Sequence, residues 1–295
     1  MALYELRSEQ IAIQADSMGA ELKSLKRTDS DTEYLWEGNP QYWKRTSPVL
    51  FPAVGGLRDG RYLLDGKSYP MGQHGFARDM EFSLKSRTDT EIWFILKSSQ
   101  ETLEKYPYEF VLELGYELRG GTLAVKWKVT NPADKDLYFS IGGHPAFCCP
   151  LVRGENQEDY KIWLDAKGQV ISGVIKNGLM SEEEAVYTLQ DGCLNITEHL
   201  FDRDALVIEN DQAHQAALLK PDGSRYLTVR FDAPLFGIWS PPGKKAPFVC
   251  IEPWYGRCDA LDFEGSWQER KWGQKLSAGE SFEASYEVIP GSGQN

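Results

Sequence analysis

Gly120-Gly121-Thr122-Leu123-Ala124-Val125-Lys126-Trp127-Lys128-Val129-Thr130-Asn131-Pro132 reads as a β-strand on its pattern alone. Leu123, Val125, Trp127 and Val129 fall on one face, with Lys126 and Lys128 on the other. A period of two puts successive side chains on opposite faces, which suits a pleated strand and not a helix. The glycine pair marks a turn into the segment, and Asn131-Pro132 is a strong breaker after it.

The same period runs outward in both directions, and long helical periodicity is nearly absent. Upstream, residues 91–96 and 110–118 are strand candidates, and Arg61-Tyr-Leu-Leu64 before Asp65-Gly66 reads as a hairpin. Pro48-Val-Leu-Phe-Pro52 has proline at both ends, which fits an edge strand leading into a loop. Tyr34-Leu-Trp-Glu37 reads as a short strand, and residues 9–26 as two strands around a turn at 16–19. Downstream, alternation weakens between 150 and 200, where Ser181-Glu-Glu-Glu-Ala185 reads as a solvated loop rather than a helical turn. It returns at 205–208, 216–219, 226–231, 236–239 and 248–251, and closes with 281–289. Residues 291–295 are expected to form a frayed tail. Many short strands with no linker and no repeat predict an all-β sandwich or barrel-like double sheet, with 1–295 as a single domain.

Composition narrows the function classes. The net charge of −12 and pI near 4.9 argue against a nucleic-acid surface, which needs a basic face, and disfavour anionic membranes. No run approaches the ~18 apolar residues of a membrane span. The N-terminus lacks a basic region followed by an apolar core, so no signal peptide is expected. Five cysteines, two of them adjacent at Cys148-Cys149, do not suit a disulfide framework. Reduced thiols in a cytoplasmic protein are the expectation.

Chemistry can be sought among few residues. The chain has four histidines. His74, in Met71-Gly-Gln-His74-Gly-Phe-Ala-Arg78-Asp79, and His144, in Gly142-Gly143-His144-Pro145, sit in Gly/Pro settings rather than in alternating strands. Such positions suit functional side chains held at strand ends, although a structural role stays open for each. His199 and His214 lie in polar surroundings and read as surface residues. Glu252 follows Phe248-Val-Cys-Ile251 and precedes Pro253-Trp254, so it is expected at the end of a buried strand. A carboxylate there is either hydrogen-bonded or raised in pKa; it can serve as a general base or cap backbone amides. Arg78 pairs with Asp79 at the surface or grips a ligand. No nucleophile elbow, phosphate loop or dinucleotide fingerprint is present. Two His and one Glu form a conceivable metal triad, but no local His-x-His or HExxH pair supports one, and no metal is expected.

Together, Gln73-His74-Gly-Phe-Ala-Arg78, Gly142-Gly-His144-Pro-Ala-Phe147 and Glu252-Pro-Trp254 resemble the aldose 1-epimerase (mutarotase) superfamily, in particular its LacX-like branch. Tyr34-Leu-Trp36, Pro48-Val-Leu-Phe-Pro52 and Phe236-Gly-Ile-Trp239 extend the likeness over nearly the whole chain. The resemblance implies a galactose mutarotase-like β-supersandwich that interconverts the α and β anomers of an aldose without a cofactor. It implies Glu252 as general base on the C1 hydroxyl, His144 as general acid on the ring oxygen, and His74 as the residue that orients the sugar. Asp204, in Phe201-Asp-Arg-Asp204, is the counterpart of an aspartate that holds a ring hydroxyl in classical members. Trp254 or Trp239 would stack on the sugar or simply fill the core. The classical loop with its Asn-Arg pair is replaced by Val54-Gly-Gly56-Leu-Arg58-Asp-Gly60, so the resemblance offers Arg78 as the substitute sugar-gripping arginine. With Arg58 it would make a partial site for a phosphorylated sugar. The expected partner is a small sugar, bound by a monomer or homodimer; a sugar-binding protein without turnover is the alternative.

Overall fold

A computed structural model describes residues 2–291. The segment around Lys126 is strand Thr122–Thr130, in the interior of a nine-stranded antiparallel sheet. It is flanked by Val111–Arg119 and Ser281–Pro290. Leu123, Val125, Trp127 and Val129 are buried as the alternation requires. Burying each of the three aliphatic ones contributes about 1.5–3 kcal/mol. On the other face Lys126 reaches Glu91 at 3.0 Å and Lys128 reaches Glu283 at 2.6 Å.

A second, eight-stranded sheet packs on this one. Its central strand, Phe248–Tyr255, pairs with Leu235–Trp239 on one side and with Ile141–Gly143 and Ala146–Cys148 on the other. Phe231 and Phe236 meet across the two sheets with ring centres 4.9 Å apart. Val249 and Ile251 belong to the main core between the sheets, while Cys250 and Trp254 pack in two smaller clusters. The strand therefore sends odd-numbered residues into the sandwich and even-numbered ones, Glu252 included, out of its far face. Loops cover that far face, so both sides are buried and the sequence shows a continuous apolar run instead of alternation.

Three expectations need correction. Glu252 does not end its strand, which continues through Pro253 and Trp254 to Tyr255. Residues 181–185 are not a loop: Leu179–Thr188 is an edge strand paired with Gln169–Lys176. Its three exposed glutamates hid the pattern, and charge is what keeps such an edge from pairing further. Residues 34–37 form only an isolated bridge, Leu35 to Phe147. Of the expected tail, residues 292–295 lie outside the described residues, whereas the Gly291 N–H donates to the Tyr226 carbonyl at 2.7 Å. The five cysteines are free, and among the described residues no helix is long and apolar enough to cross a membrane.

Candidate active site

Sheet register brings the two central groups together. Gly142 faces Trp254 and Ala146 faces Cys250, so His144, midway between, stands opposite Glu252. Directly paired residues keep their Cβ atoms roughly 4.5–5.5 Å apart on one face. The result is a contact of 3.4 Å between His144 Nε2 and Glu252 Oε2, with side chains 8% and 1% exposed. The alignment is too poor for a hydrogen bond, and Glu252 Oε2 and His144 Nδ1 have no hydrogen-bond partner among the described residues.

Two glycines make room beside the pair. A Cβ at Gly142 would lie 2.6 Å from Trp254 Cδ1, and one at Gly237 would lie 2.6 Å from its six-membered ring. The Trp254 indole therefore spreads flat over both neighbouring strands, forming part of the cleft floor. Trp43 stacks on His144 with ring centres 4.7 Å apart and planes at 27°, while Trp239 meets the same imidazole edge-on at 5.4 Å. These rings fix the plane of His144.

His74 completes the centre from a turn. Its backbone is left-handed, with φ of 67°, a conformation costing about 1–3 kcal/mol for a residue with a side chain. Two bonds to Gly55 hold it there: the His74 N–H donates to the Gly55 carbonyl at 3.0 Å, and the Gly55 N–H donates to Nδ1 at 3.1 Å. Next to it, a Cβ at Gly75 would stand 2.3 Å from the Phe51 carbonyl oxygen, which requires glycine. Since Nδ1 accepts a bond, a neutral His74 carries its proton on Nε2. The rings of His74 and His144 meet edge-on at 5.5 Å.

Burial dominates the electrostatics. It pushes the Glu252 carboxyl well above the usual carboxylate range, reinforced by the charge of Asp204 and opposed by the neighbouring Trp254 indole. It lowers His144 to about 3, with Arg78 and then Arg45 adding to the effect, and holds His74 well below the usual imidazole range. Both members of the central pair are thus driven toward their neutral forms.

These groups line a cavity of about 450 Å³ whose walls also include Asp204, Trp239, Arg78, Lys44 and Arg45. The volume suits a small ligand. The sequence expectations for His74, His144, Glu252, Asp204, Trp239, Trp254 and Arg78 thus converge on one cleft. Arg58 does not join them: it donates to the Phe263 carbonyl at 2.9 Å and lies 3.6 Å from Glu264. Trp43, Lys44 and Arg45 were not anticipated from the sequence. They come from an irregular loop with no periodicity, and the sole hint was a Trp in a polar stretch between Pro40 and Pro48. Buried Glu21 anchors this loop by accepting the Thr46 and Ser47 N–H groups at 2.7 and 3.0 Å. His199 and His214 are at the surface, as expected.

One donor set could hold a metal. A ligand atom from each of His144, Cys250 and Glu252 lies within 4.8 Å of the others. Burial pushes the Cys250 thiol well up, which opposes the thiolate that a metal would need. The three-residue set shares both members of the central pair, so a metal there would occupy the groups available for proton transfer.

Comparison with known proteins agrees with this architecture. Residues 2–288 match the family described as Aldose 1-epimerase. The chromosomal protein LacX of Lactococcus lactis subsp. lactis is 32% identical over 277 residues, covering 90% of this chain and 92% of that one. A galactose mutarotase related enzyme from Lactobacillus acidophilus superposes with a TM-score of 0.93 at 33% identity, covering 100% of this chain and 99% of the other. A galactose mutarotase-like protein from Lactobacillus casei ATCC 334 gives 0.89 at 30% identity, with 98% and 99% covered. A putative aldose 1-epimerase from Escherichia coli K12, 18% identical with a TM-score of 0.74 and 98% of each chain covered, shares the fold. The two stacked sheets are thus the galactose mutarotase-like β-supersandwich, and the chain belongs to the aldose 1-epimerase family.

Proposed function

We propose that this protein is an aldose 1-epimerase, which interconverts the α and β anomers of a hexose or hexose derivative by opening and reclosing the ring. The observation that carries the reading is the His144–Glu252 pair, buried and 3.4 Å apart on the wall of the cleft, with Glu252 Oε2 and His144 Nδ1 free of hydrogen-bond partners among the described residues. Anomerisation needs a proton removed from the C1 hydroxyl and another delivered to the ring oxygen. Glu252 takes the first and His144 gives the second. The C1–O5 bond breaks, and an open-chain aldehyde forms. Rotation about C1–C2 presents the other carbonyl face, and the reversed transfers close the ring.

Burial acts on one half of this exchange. It disfavours the carboxylate–imidazolium pair that starts ring opening and favours the neutral pair that results, so the proton transfers run from the minor charged form to the form that a low-dielectric cleft stabilises. His74, neutral and with its proton on Nε2, donates toward the sugar oxygens. Trp254 and Trp239 offer apolar faces to the ring carbons. Asp204 turns one oxygen to the Ala205 N–H at 2.8 Å, leaving the other to hold a hydroxyl. No step requires a metal or an organic cofactor.

The test is NMR or polarimetric measurement of anomer exchange over a panel of hexoses, with chelated protein. A rate above background in metal-free protein is expected. Saturable sugar binding with no added rate would replace the enzyme by a sugar-binding protein on the same fold. A rate that vanishes on chelation and returns with metal would replace the acid–base scheme.

A further inference from the structure

Three tryptophans of this protein give their indole N–H to an acceptor. Trp36 Nε1 donates to the Trp43 carbonyl at 2.8 Å, Trp267 Nε1 to the Tyr138 carbonyl at 2.7 Å, and Trp272 Nε1 to the Glu209 carboxylate at 2.5 Å. Trp254 departs from them. It is 5% exposed, and its buried Nε1 has no hydrogen-bond partner among the described residues. A buried donor left unmet costs free energy, so its position calls for a reason.

Sheet register places that N–H beside Glu252. Gly142 faces Trp254 across one edge of the central strand, and Gly237 faces Glu252 across the other. The indole Cδ1 lies over Gly142, and Cζ2 and Cη2 lie over Gly237, each 2.6 Å from where a Cβ would stand. In an indole, Nε1 sits on the edge that joins Cδ1 to Cζ2. That edge therefore crosses the strand from the level of residue 254 to the level of residue 252. Glu252 is flanked by His144 on one side and by the indole on the other. The indole bears on the carboxyl as a donor, opposing the effect of burial, but is not aligned on it. The terminal torsion of a glutamate is soft, so a turn of the carboxyl brings an oxygen onto Nε1 with the backbone unmoved. An indole is a donor only, so it cannot compete for the proton that the base removes. We infer that Trp254 is a positioning residue for the base: its N–H donates to the Glu252 carboxylate and aims that group at the C1 hydroxyl. The inference deepens the epimerase reading and rests on it for the role of Glu252.

The test uses Trp254→Phe, which keeps an aromatic face toward the cleft and removes the N–H. In anomer-exchange NMR its kcat should fall roughly tenfold or more, with KM within about twofold of the wild type. Thermal melts check that the variant is folded. Gly237→Ala, which pushes the ring off the neighbouring strand with its N–H intact, should show the same loss of kcat. In the wild type, the Trp254 indole N–H resonance should shift on Glu252→Gln, while those of Trp36 and Trp267 stay in place. A Trp254→Phe protein with kcat retained and KM raised would mean that the ring only stacks on the sugar, and overturns the inference. An indole resonance that Glu252→Gln leaves in place overturns it as well. The two readings separate cleanly. An indole shift in a protein whose wild type turns over no sugar upholds the Trp254–Glu252 bond and removes the epimerase. Full kcat in Trp254→Phe removes the bond from the chemistry and leaves the epimerase standing.

Discussion

Two buried carboxylates seven residues apart in the chain have opposite surroundings. Asp259, 6% exposed, accepts from Arg270 Nε at 2.7 Å and from the Arg58 N–H at 3.0 Å. Glu252, 1% exposed, faces an imidazole at 3.4 Å and keeps an oxygen without a donor. The first is a carboxylate with a donor on each oxygen, and it ties the loop carrying Gly55 and Arg58 to the chain that follows the central strand. The second is an unsatisfied acid in a cleft. Burial alone does not mark a functional carboxylate; burial without a committed partner does.

The largest expected difference is in rate. Glu252→Gln or His144→Ala should slow anomer exchange by about 10²–10⁴-fold with the fold intact, and rates like the wild type would remove the pair from the chemistry. Asp259→Ala should act on stability instead. Stranding the buried Arg270 guanidinium costs about 3–5 kcal/mol, readable in urea unfolding; a loss below 1 kcal/mol would mean that the ion pair contributes little. Gly237→Ala should cost about 1–3 kcal/mol and displace the Trp254 ring, with a change in tryptophan fluorescence. An unchanged spectrum would show that the ring is not held flat between the two glycines.

The smallest effect has the most telling sign. The folded protein binds the Glu252 proton more tightly than the unfolded chain, whose value is near 4.5. The stability associated with that proton is complete below 4.5 and is lost as pH rises through the higher folded value. Glu252→Gln escapes this loss, so at pH 8 it should melt about 2 °C or more above the wild type, while Asp259→Ala melts below it. His144 works at the acid end. Its folded value of about 3 against 6.5 unfolded predicts stability lost as pH falls from 6.5 toward 3. A Glu252→Gln protein no more stable than wild type at pH 8 would imply that Glu252 is better solvated than its burial indicates.

How much of this was legible depended on periodicity and on covalent chemistry. Strands with one wet face, such as Thr122–Thr130, declare themselves, because lysines alternate with apolar residues. The central strand Phe248–Tyr255 has no wet face, so Glu252 was recognisable as odd but was misplaced at its end. The edge strand Leu179–Thr188 was missed for the converse reason, since solvent rather than packing chose its glutamates. In the site, His74 and His144 stood out because glycine and proline flank them, although that setting left a structural role open for each and only His74 takes a left-handed backbone. Arg78 was visible beside His74, but nothing local could show that Arg45 joins it, since that meeting depends on Glu21 anchoring a distant loop. Arg58 looked equivalent to Arg78 as a string of letters, and only tertiary packing turned it toward Phe263.

The register that sets His144 against Glu252 has a consequence for how this cleft can change. The spacing of the reacting pair is inherited from the lattice of a hydrogen-bonded sheet: a slip of one residue turns every side chain of the strand to the wrong face, and a slip of two sets His144 against another partner. The cleft wall that bears Lys44, Arg45 and Arg78, by contrast, hangs on loops whose length and composition the sheet does not dictate. Mutation can therefore rewrite which sugar is admitted while the distance over which protons move stays the same.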